Sequence, residues 1–218
     1  MRTPVEIYEE YRIMPSLEQH QLRVAAVAKM VAGSYSEKVD ERALILACLF
    51  HDMGNIIKSD LPHFPEFIEE KGLAYWEAVK KDFLEKYGPN EHEAAKTIAH
   101  EIGLPKSSIV IIDGISFANI PNMLREGPLE LQMAEYSDMR VGPHGIVSAK
   151  ERVRDLQVRY SSQWEKGLHR EFRENFDSGA AGLIEIEKQL FASLSIQPEE
   201  ITDTAIAPII EDLKTYSV

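Results

Sequence analysis

Two adjacent side chains in this sequence could bind a metal ion. His51 and Asp52 follow directly on the apolar run LACLF. A lone carboxylate in an apolar interior costs several kcal/mol unless a cation or a hydrogen-bond donor pairs with it. The group that pairs with Asp52 must therefore come from another part of the chain, or be an ion that several parts of the chain bind together.

His20 and Asp138 lie on two further apolar stripes. In the segment 15–33, residues recur with helical spacing and so share one face, namely Leu17, His20, Val24, Val27, Ala28 and Val31. A second stripe of this kind consists of Leu131, Ala134, Asp138 and Val141. Either polar residue alone is also compatible with a structural role, as a buried histidine bonded to a carbonyl or as an aspartate in an ion pair.

Together, two imidazoles and two carboxylates from three core-facing segments form a set of metal ligands. Imidazole nitrogen and carboxylate oxygen suit Mn, Fe, Co, Ni, Zn or Mg. An ion would also explain how two carboxylates stay charged away from water. The sequence therefore predicts one divalent metal ion bound by His20, His51, Asp52 and Asp138.

The elements that must position these residues are nearly all helical. Capping residues and apolar stripes predict helices that begin after Thr3, over residues 15–33 and from Asp40 to about residue 58, the last one buried all round. The β-branched run SIVIIDG, residues 108–114, has helical neighbours and is interpreted as a buried helix. We expect an all-α protein.

The domain organisation follows from one apparent break. The stretch ENFDSGAAG, residues 174–182, is rich in glycine and small residues. This composition predicts a core domain over residues 1–175 and a C-terminal helical appendage over residues 176–218.

Composition excludes several kinds of partner. The 218 residues carry a net charge of -12, which argues against a nucleic-acid polymer but not against a small phosphorylated substrate. No apolar run is long enough for a transmembrane helix, and the acidic N-terminus has no signal-peptide core. One cysteine, Cys48, permits no intrachain disulfide. A cytoplasmic protein without a membrane partner is expected, and a homo-oligomer is compatible with the sequence.

The order His20, His51-Asp52, Asp138 resembles the HD-domain superfamily of metal-dependent phosphohydrolases over roughly residues 16–160. The resemblance implies a compact helical core with the ion at its centre. It also implies hydrolysis of a nucleotide or another small phosphate ester by a water that the metal activates.

Two local features refine the resemblance. HDMGNIIKSDLP is similar to the 5′-deoxynucleotidase branch, but Asn55 stands where that branch has a catalytic glutamate, and asparagine cannot take a proton from water. A non-catalytic metal- or ligand-binding HD domain is therefore an alternative function. The family's di-iron oxygenases need two further histidines, and only His92 fits, because residues 115–119 contain none. The sequence thus favours a single metal.

Four more residues are candidates for contact with water or substrate. Asp60, in the loop after the metal-binding segment, could orient or deprotonate the attacking water, or only hydrogen-bond its own turn. Arg140, Lys58 and His92 are predicted to bind the substrate phosphate. The alternative is a solvated helix end for Lys58 and a surface histidine at a helix start for His92.

Overall fold

The computed structural model describes residues 2–35, 38–63, 68, 71–165 and 170–218, and most of these residues are helical. The helices are α1 (Pro4–Glu10), α2 (Pro15–Gly33), α3 (Glu41–Phe50), α4 (Gly72–Tyr87), α5 (Glu91–Glu101), α6 (Lys106–Gly114), α7 (Ile120–Glu126), α8 (Leu129–Asp138), α9 (Ala149–Glu165), α10 (Arg170–Phe191) and α11 (Asp203–Lys214). Between α8 and α9, β1 (Val141–Gly142) pairs antiparallel with β2 (Gly145–Ile146). The predicted all-α fold is confirmed.

Helix α3 is the centre of the core. Each residue from Ala43 to Phe50 is buried, as its uninterrupted apolar sequence predicts. Helices α2, α6 and α8 pack against it, and α2 also contacts α8. The three helices that carry the predicted metal ligands are therefore neighbours. The strand-like run 108–114 is helical, as expected, and belongs to α6.

Helix α3 ends earlier than predicted. It stops at Phe50 instead of near residue 58, and a short 3-10 helix, Asn55–Ile57, follows a turn. The turn brings Gly54 against α5, so closely that a Cβ built on Gly54 would lie 2.1 Å from the carbonyl oxygen of Glu91. Helical periodicity cannot predict this contact, because the two segments are distant in sequence. His51 and Asp52 are thus at the end of the helix and in the turn after it, not in its interior.

Replacement of Gly54 by alanine is expected to destabilise the protein, because backbone atoms of α5 occupy the space of the new methyl group. Overpacking of this kind costs about 1–3 kcal/mol. Gly33 is the matched control, since no described atom lies within 4 Å of a Cβ built there. Gly33→Ala should be neutral or stabilise by up to about 1 kcal/mol. Equal effects of the two substitutions in denaturant unfolding would contradict the close approach at Gly54.

The break predicted at residues 174–182 is wrong, because α10 runs without interruption from Arg170 to Phe191. Its two glycines serve helix packing. A Cβ on Gly179 would lie 2.7 Å from the Phe117 ring, and one on Gly182 would lie 2.6 Å from Ile120. Small residues here let α10 approach α7 and the turn before it.

The C-terminal residues share the common core. The predicted boundary at residues 175 and 176 falls inside α10, which packs against α7, α8 and α9, while α11 packs against α2. Leu183, Ile186, Ile206 and Leu213 are fully buried. By length and hydropathy no single described helix could cross a membrane, although the bent pair Lys106–Gly114 and Phe117–Glu126 passes that test.

Candidate metal centre and its cavity

The four predicted metal ligands lie close together. His20 projects from α2, His51 and Asp52 follow the end of α3, and Asp138 is the last residue of α8. Nε2 of His20 is 3.0 Å from Oδ1 of Asp138 and 3.6 Å from Oδ2 of Asp52. Nε2 of His51 is 3.5 Å and 3.7 Å from the same two oxygens. One side-chain atom each from His20, His51 and Asp52 lies within 4.8 Å of the others, so these three could hold an ion.

These separations fit a shared ion. Ligands placed about 2.0–2.2 Å from a transition metal, at angles between about 90° and 120°, are roughly 2.8–3.8 Å apart. His51 gives a second test, because its Nδ1 lies 2.9 Å from the carbonyl oxygen of Cys48. Its buried Nε2 forms no hydrogen bond of good geometry with any described atom. An imidazole oriented by a carbonyl at one nitrogen and open at the other is typical of metal-binding histidines.

The electrostatics of the centre couple the imidazoles to the carboxylates. Burial alone would lower the pKa of His51, but the charges of Asp52 and Asp138 outweigh it and raise that pKa to about 9. Burial alone would raise the pKa of Asp138, but the imidazoles of His20 and His51 hold it well below its usual value. Without a metal ion, the Asp138 carboxylate and the His51 imidazole thus stabilise each other's charged form.

Asp52 is held by two amide side chains that the sequence analysis did not assign to the site. The main-chain N–H of Asp52 donates to Oε1 of Gln21 at 3.2 Å, and Gln21 is fully buried. The side-chain amide of Asn55 donates to Oδ2 of Asp52. Asn55 therefore orients one of the predicted metal ligands from the position where a related branch has an acid. The adjacency of Gln21 to His20 was the available sequence signal.

A cavity of about 410 Å³ opens at the centre. Its wall includes His51, Asp52 and Asp138, and two of the predicted phosphate ligands, Lys58 and His92. Partial desolvation at the cavity wall would lower the pKa of Lys58, whose side chain is still 53% exposed, but the negative charges of Asp52 and Glu91 raise it. Lys58 is therefore a cation at the cavity wall, with Nζ 3.5 Å from Glu91.

His92 reaches the cavity from the first turn of α5, which Asn90 caps. Its Nε2 lies 3.1 Å from the carbonyl oxygen of Asp113, so one ring nitrogen is occupied within the described chain. Asp60 does not line this cavity; it is exposed and borders an adjoining surface depression, which shares Lys58 with the cavity. This placement gives no support to the predicted role of Asp60 in orienting water.

Arg140 lies outside the cavity wall, and its placement does not support a role in phosphate binding. It is 3% exposed, and its guanidinium donates to main-chain and hydroxyl oxygens. The acceptors are the carbonyls of Val147 at 2.6 Å and Pro198 at 3.1 Å and the hydroxyl of Tyr136 at 2.6 Å. Arg140 therefore fastens the segment before α11 to the β hairpin.

Substitution of Arg140 by methionine is expected to destabilise the fold by roughly 3 kcal/mol, because buried carbonyls lose a charged donor. The Michaelis constant for any substrate should change little, since Arg140 does not line the cavity. Arg173→Met, at a half-exposed position on α10, is the control for stability. A raised Michaelis constant with unchanged stability would restore the phosphate-binding role.

Two further polar residues of the cavity wall were missed. Glu135 is 1% exposed, and its Oε2 has no hydrogen-bond partner among the described atoms. Burial and the nearby charge of Asp138 raise the pKa of Glu135 to about 8. Arg152, on α9, likewise has a buried Nε without such a partner. Glu135 precedes Asp138 by three residues, so their shared helix face was a signal that the sequence contained.

Comparison with protein-family models matches residues 17–133, more than half of the chain, to the HD domain. The matched range contains His20, His51 and Asp52, and it ends before Asp138. Asp138 joins the centre through its distances alone. Neither the curated proteins nor the solved structures include a significant match.

Proposed function

Because the chain belongs to the HD-domain family, whose members are generally metal-dependent hydrolases, we propose that it hydrolyses small phosphate esters, nucleotides among them, with one divalent metal ion. The observation that carries this proposal is the convergence of two imidazoles and two carboxylates beside a cavity of about 410 Å³. That volume is within the usual range for sites that bind small molecules.

His20, His51, Asp52 and Asp138 would hold the ion, and Mn, Fe, Co, Ni, Zn and Mg all accept such a mixed set of ligands. When bound, the ion would lower the pKa of a water molecule and offset negative charge on the phosphoryl oxygens. Gln21 and Asn55 fix the orientation of Asp52 through hydrogen bonds to its main chain and its carboxylate. The protein thereby keeps this ligand in place without rearrangement.

Lys58 supplies the positive charge for the substrate phosphate in this proposal. Its ammonium lies at the cavity wall, and the negative charges of Asp52 and Glu91 keep it protonated. A phosphate placed between the metal centre and Lys58 would receive an additional charge-assisted hydrogen bond. His92 borders the same cavity and is a second candidate donor.

Substitution of Lys58 by methionine is expected to lower kcat/KM by roughly tenfold, which corresponds to about 1.4 kcal/mol. Methionine keeps most of the side-chain length and removes the charge. Lys81→Met is the matched control, because Lys81 is 76% exposed and does not line the cavity. Equal kinetics of the Lys58 variant and the parent would remove Lys58 from the proposed phosphate site.

The decisive experiment measures phosphate release from a panel of nucleotides and simple phosphate esters, with metal analysis of the same sample. Metal-dependent release supports the proposal. One observation favours a second candidate function, a non-catalytic binding domain: position 55 carries an amide that is bonded to Asp52 and cannot accept a proton from water. Bound metal without phosphate release from any ester would favour this second function.

A further inference from the structure

Glu135 and Arg152 stand out because both border the cavity with buried polar atoms that no described residue hydrogen-bonds. Oε2 of Glu135 and Nε of Arg152 are buried and have no partner among the described atoms. The main-chain amide of Ser116 donates to the Glu135 carboxyl group, and Arg152 uses Nη1 to bind Asp155 at 2.8 Å. Buried polar atoms without partners are rare in native proteins because each costs free energy. Their presence at one cavity wall indicates that a ligand satisfies them.

The chemistry of the pair differs from that of the metal centre. Glu135 offers an acceptor, whereas the Nε of Arg152 can only donate. An ionised phosphate carries no donor, so it fits the pair only when Glu135 is protonated. An organic group with both a donor and an acceptor fits the ionised and the protonated carboxyl group alike. The natural ligand of the pair is therefore an organic group that presents both a donor and an acceptor.

The surrounding wall suits the organic part of a phosphate ester. Arg152, Leu156 and Tyr160 recur every four residues and share one face of α9. Phe117 and Phe172 complete an aromatic wall, with their ring centroids 5.4 Å apart. Apolar walls with a few polar groups are the usual design of pockets that select small molecules, and the polar groups fix orientation.

We infer that Glu135 and Arg152 form a specificity pair, which selects esters whose organic group carries a hydrogen-bond donor and an acceptor. Glu135 accepts from an N–H or O–H of that group, and Arg152 donates to its carbonyl, ring nitrogen or hydroxyl oxygen. The edge of a nucleobase and the hydroxyls of a sugar share this chemistry. The inference rests on the proposed function for the phosphate half of the ligand.

The test compares kcat/KM for three phosphates: a nucleoside monophosphate, a hexose phosphate and phenyl phosphate, which lacks donors on its organic group. In Glu135→Gln and in Arg152→Met, the first or the second substrate should lose at least about tenfold, or about 1.4 kcal/mol. Phenyl phosphate should be hydrolysed as by the parent. A loss confined to nucleotides identifies the base edge, and a loss that includes the hexose phosphate identifies hydroxyls.

Exposed positions supply the controls. Arg154→Met, on α9, and Glu126→Gln, at the end of α7, change the same residue types at exposed positions. They should leave all three substrates unaffected. Thermal unfolding of each variant verifies the fold. Equal losses on all three phosphates, or no loss on any, would overturn the specificity pair while leaving phosphate hydrolysis established.

A binding measurement keeps the inference testable if the parent hydrolyses none of these esters, which would refute the proposed function. Ligand-observed NMR then compares a nucleoside, a hexose and phenol with the metal-free protein. The nucleoside or the hexose should bind, and both variants should weaken that binding by about tenfold. Absence of binding, or binding that Glu135→Gln and Arg152→Met leave unchanged, would refute the pair.

Discussion

Replacement of Asp138 by alanine is expected to abolish tight metal binding and to reduce phosphohydrolase activity by a factor on the order of a thousand or more, because a bound ion supplies several kcal/mol of transition-state stabilisation. Oδ1 of Asp138 lies closer to the Nε2 atoms of both imidazoles, at 3.0 Å and 3.5 Å, than Oδ2 of Asp52 does. Without it, an ion would be bound only by His20, His51 and Asp52, the predicted ligands within the residues that match the HD domain. Metal analysis and phosphate release after purification in the same buffer measure both effects.

The fold should survive this substitution, because Asp138 is the last residue of α8 and the buried residues of that helix precede it. Far-UV circular dichroism checks this expectation. Asp177→Ala is the control, since Asp177 is 90% exposed on α10. An Asp138→Ala variant that binds metal and hydrolyses substrate like the parent would show that Asp138 is not a ligand, despite its distances.

The purified protein is expected to contain close to one tightly bound metal ion per chain, and removal of that ion by a chelator should abolish hydrolysis. A second ion would need further ligands beside Asp52. His92 does border the cavity, but its Nε2 is occupied by the carbonyl of Asp113. The segment 115–119, where another imidazole would be needed, borders the cavity through residues 115–118 and offers no histidine.

Metal analysis, electron paramagnetic resonance and assays with and without oxygen measure this prediction. We expect no mixed-valent di-iron spectrum and equal hydrolysis under argon and air. Re-addition of a divalent metal to the chelated protein should restore activity, which controls for unfolding. Two tightly bound irons per chain, or turnover that requires oxygen, would contradict the single-metal prediction. Either result would favour a di-iron oxygenase instead.

The sequence by itself determined the residue types of the centre and most of the secondary structure. Helical spacing places His20 and Asp138 on apolar faces, and the apolar run before His51 identifies the buried central helix. These predictions succeed because amphipathic periodicity is a local property, and a few consecutive helical turns of sequence are enough to identify it. The family match and the short distances among the four residues agree with that interpretation, while metal binding itself stays a prediction.

Only the tertiary structure decided how individual side chains are used. The side-chain amide of Asn55 donates a hydrogen bond to Asp52. The guanidinium of Arg140 donates to carbonyl oxygens more than fifty residues away in the chain. Residue type and closeness in sequence to the predicted ligands suggested roles for both residues, but neither property determines which atoms a side chain contacts. A hydrogen bond depends on positions within fractions of an ångström, which residue spacing does not specify.

The glycines show the same division between local pattern and tertiary contact. Composition alone made residues 174–182 look like a break, whereas Gly179 and Gly182 let α10 pack closely against Phe117 and Ile120. Gly54 in turn admits the backbone of α5 against the turn that follows α3, beside the candidate metal centre. A glycine in a helix costs only about 1 kcal/mol, so packing between distant segments can outweigh the local preference. The sequence could therefore identify the ligands and their helices, but the packing of those helices determined where each helix ends and which polar atoms face the cavity.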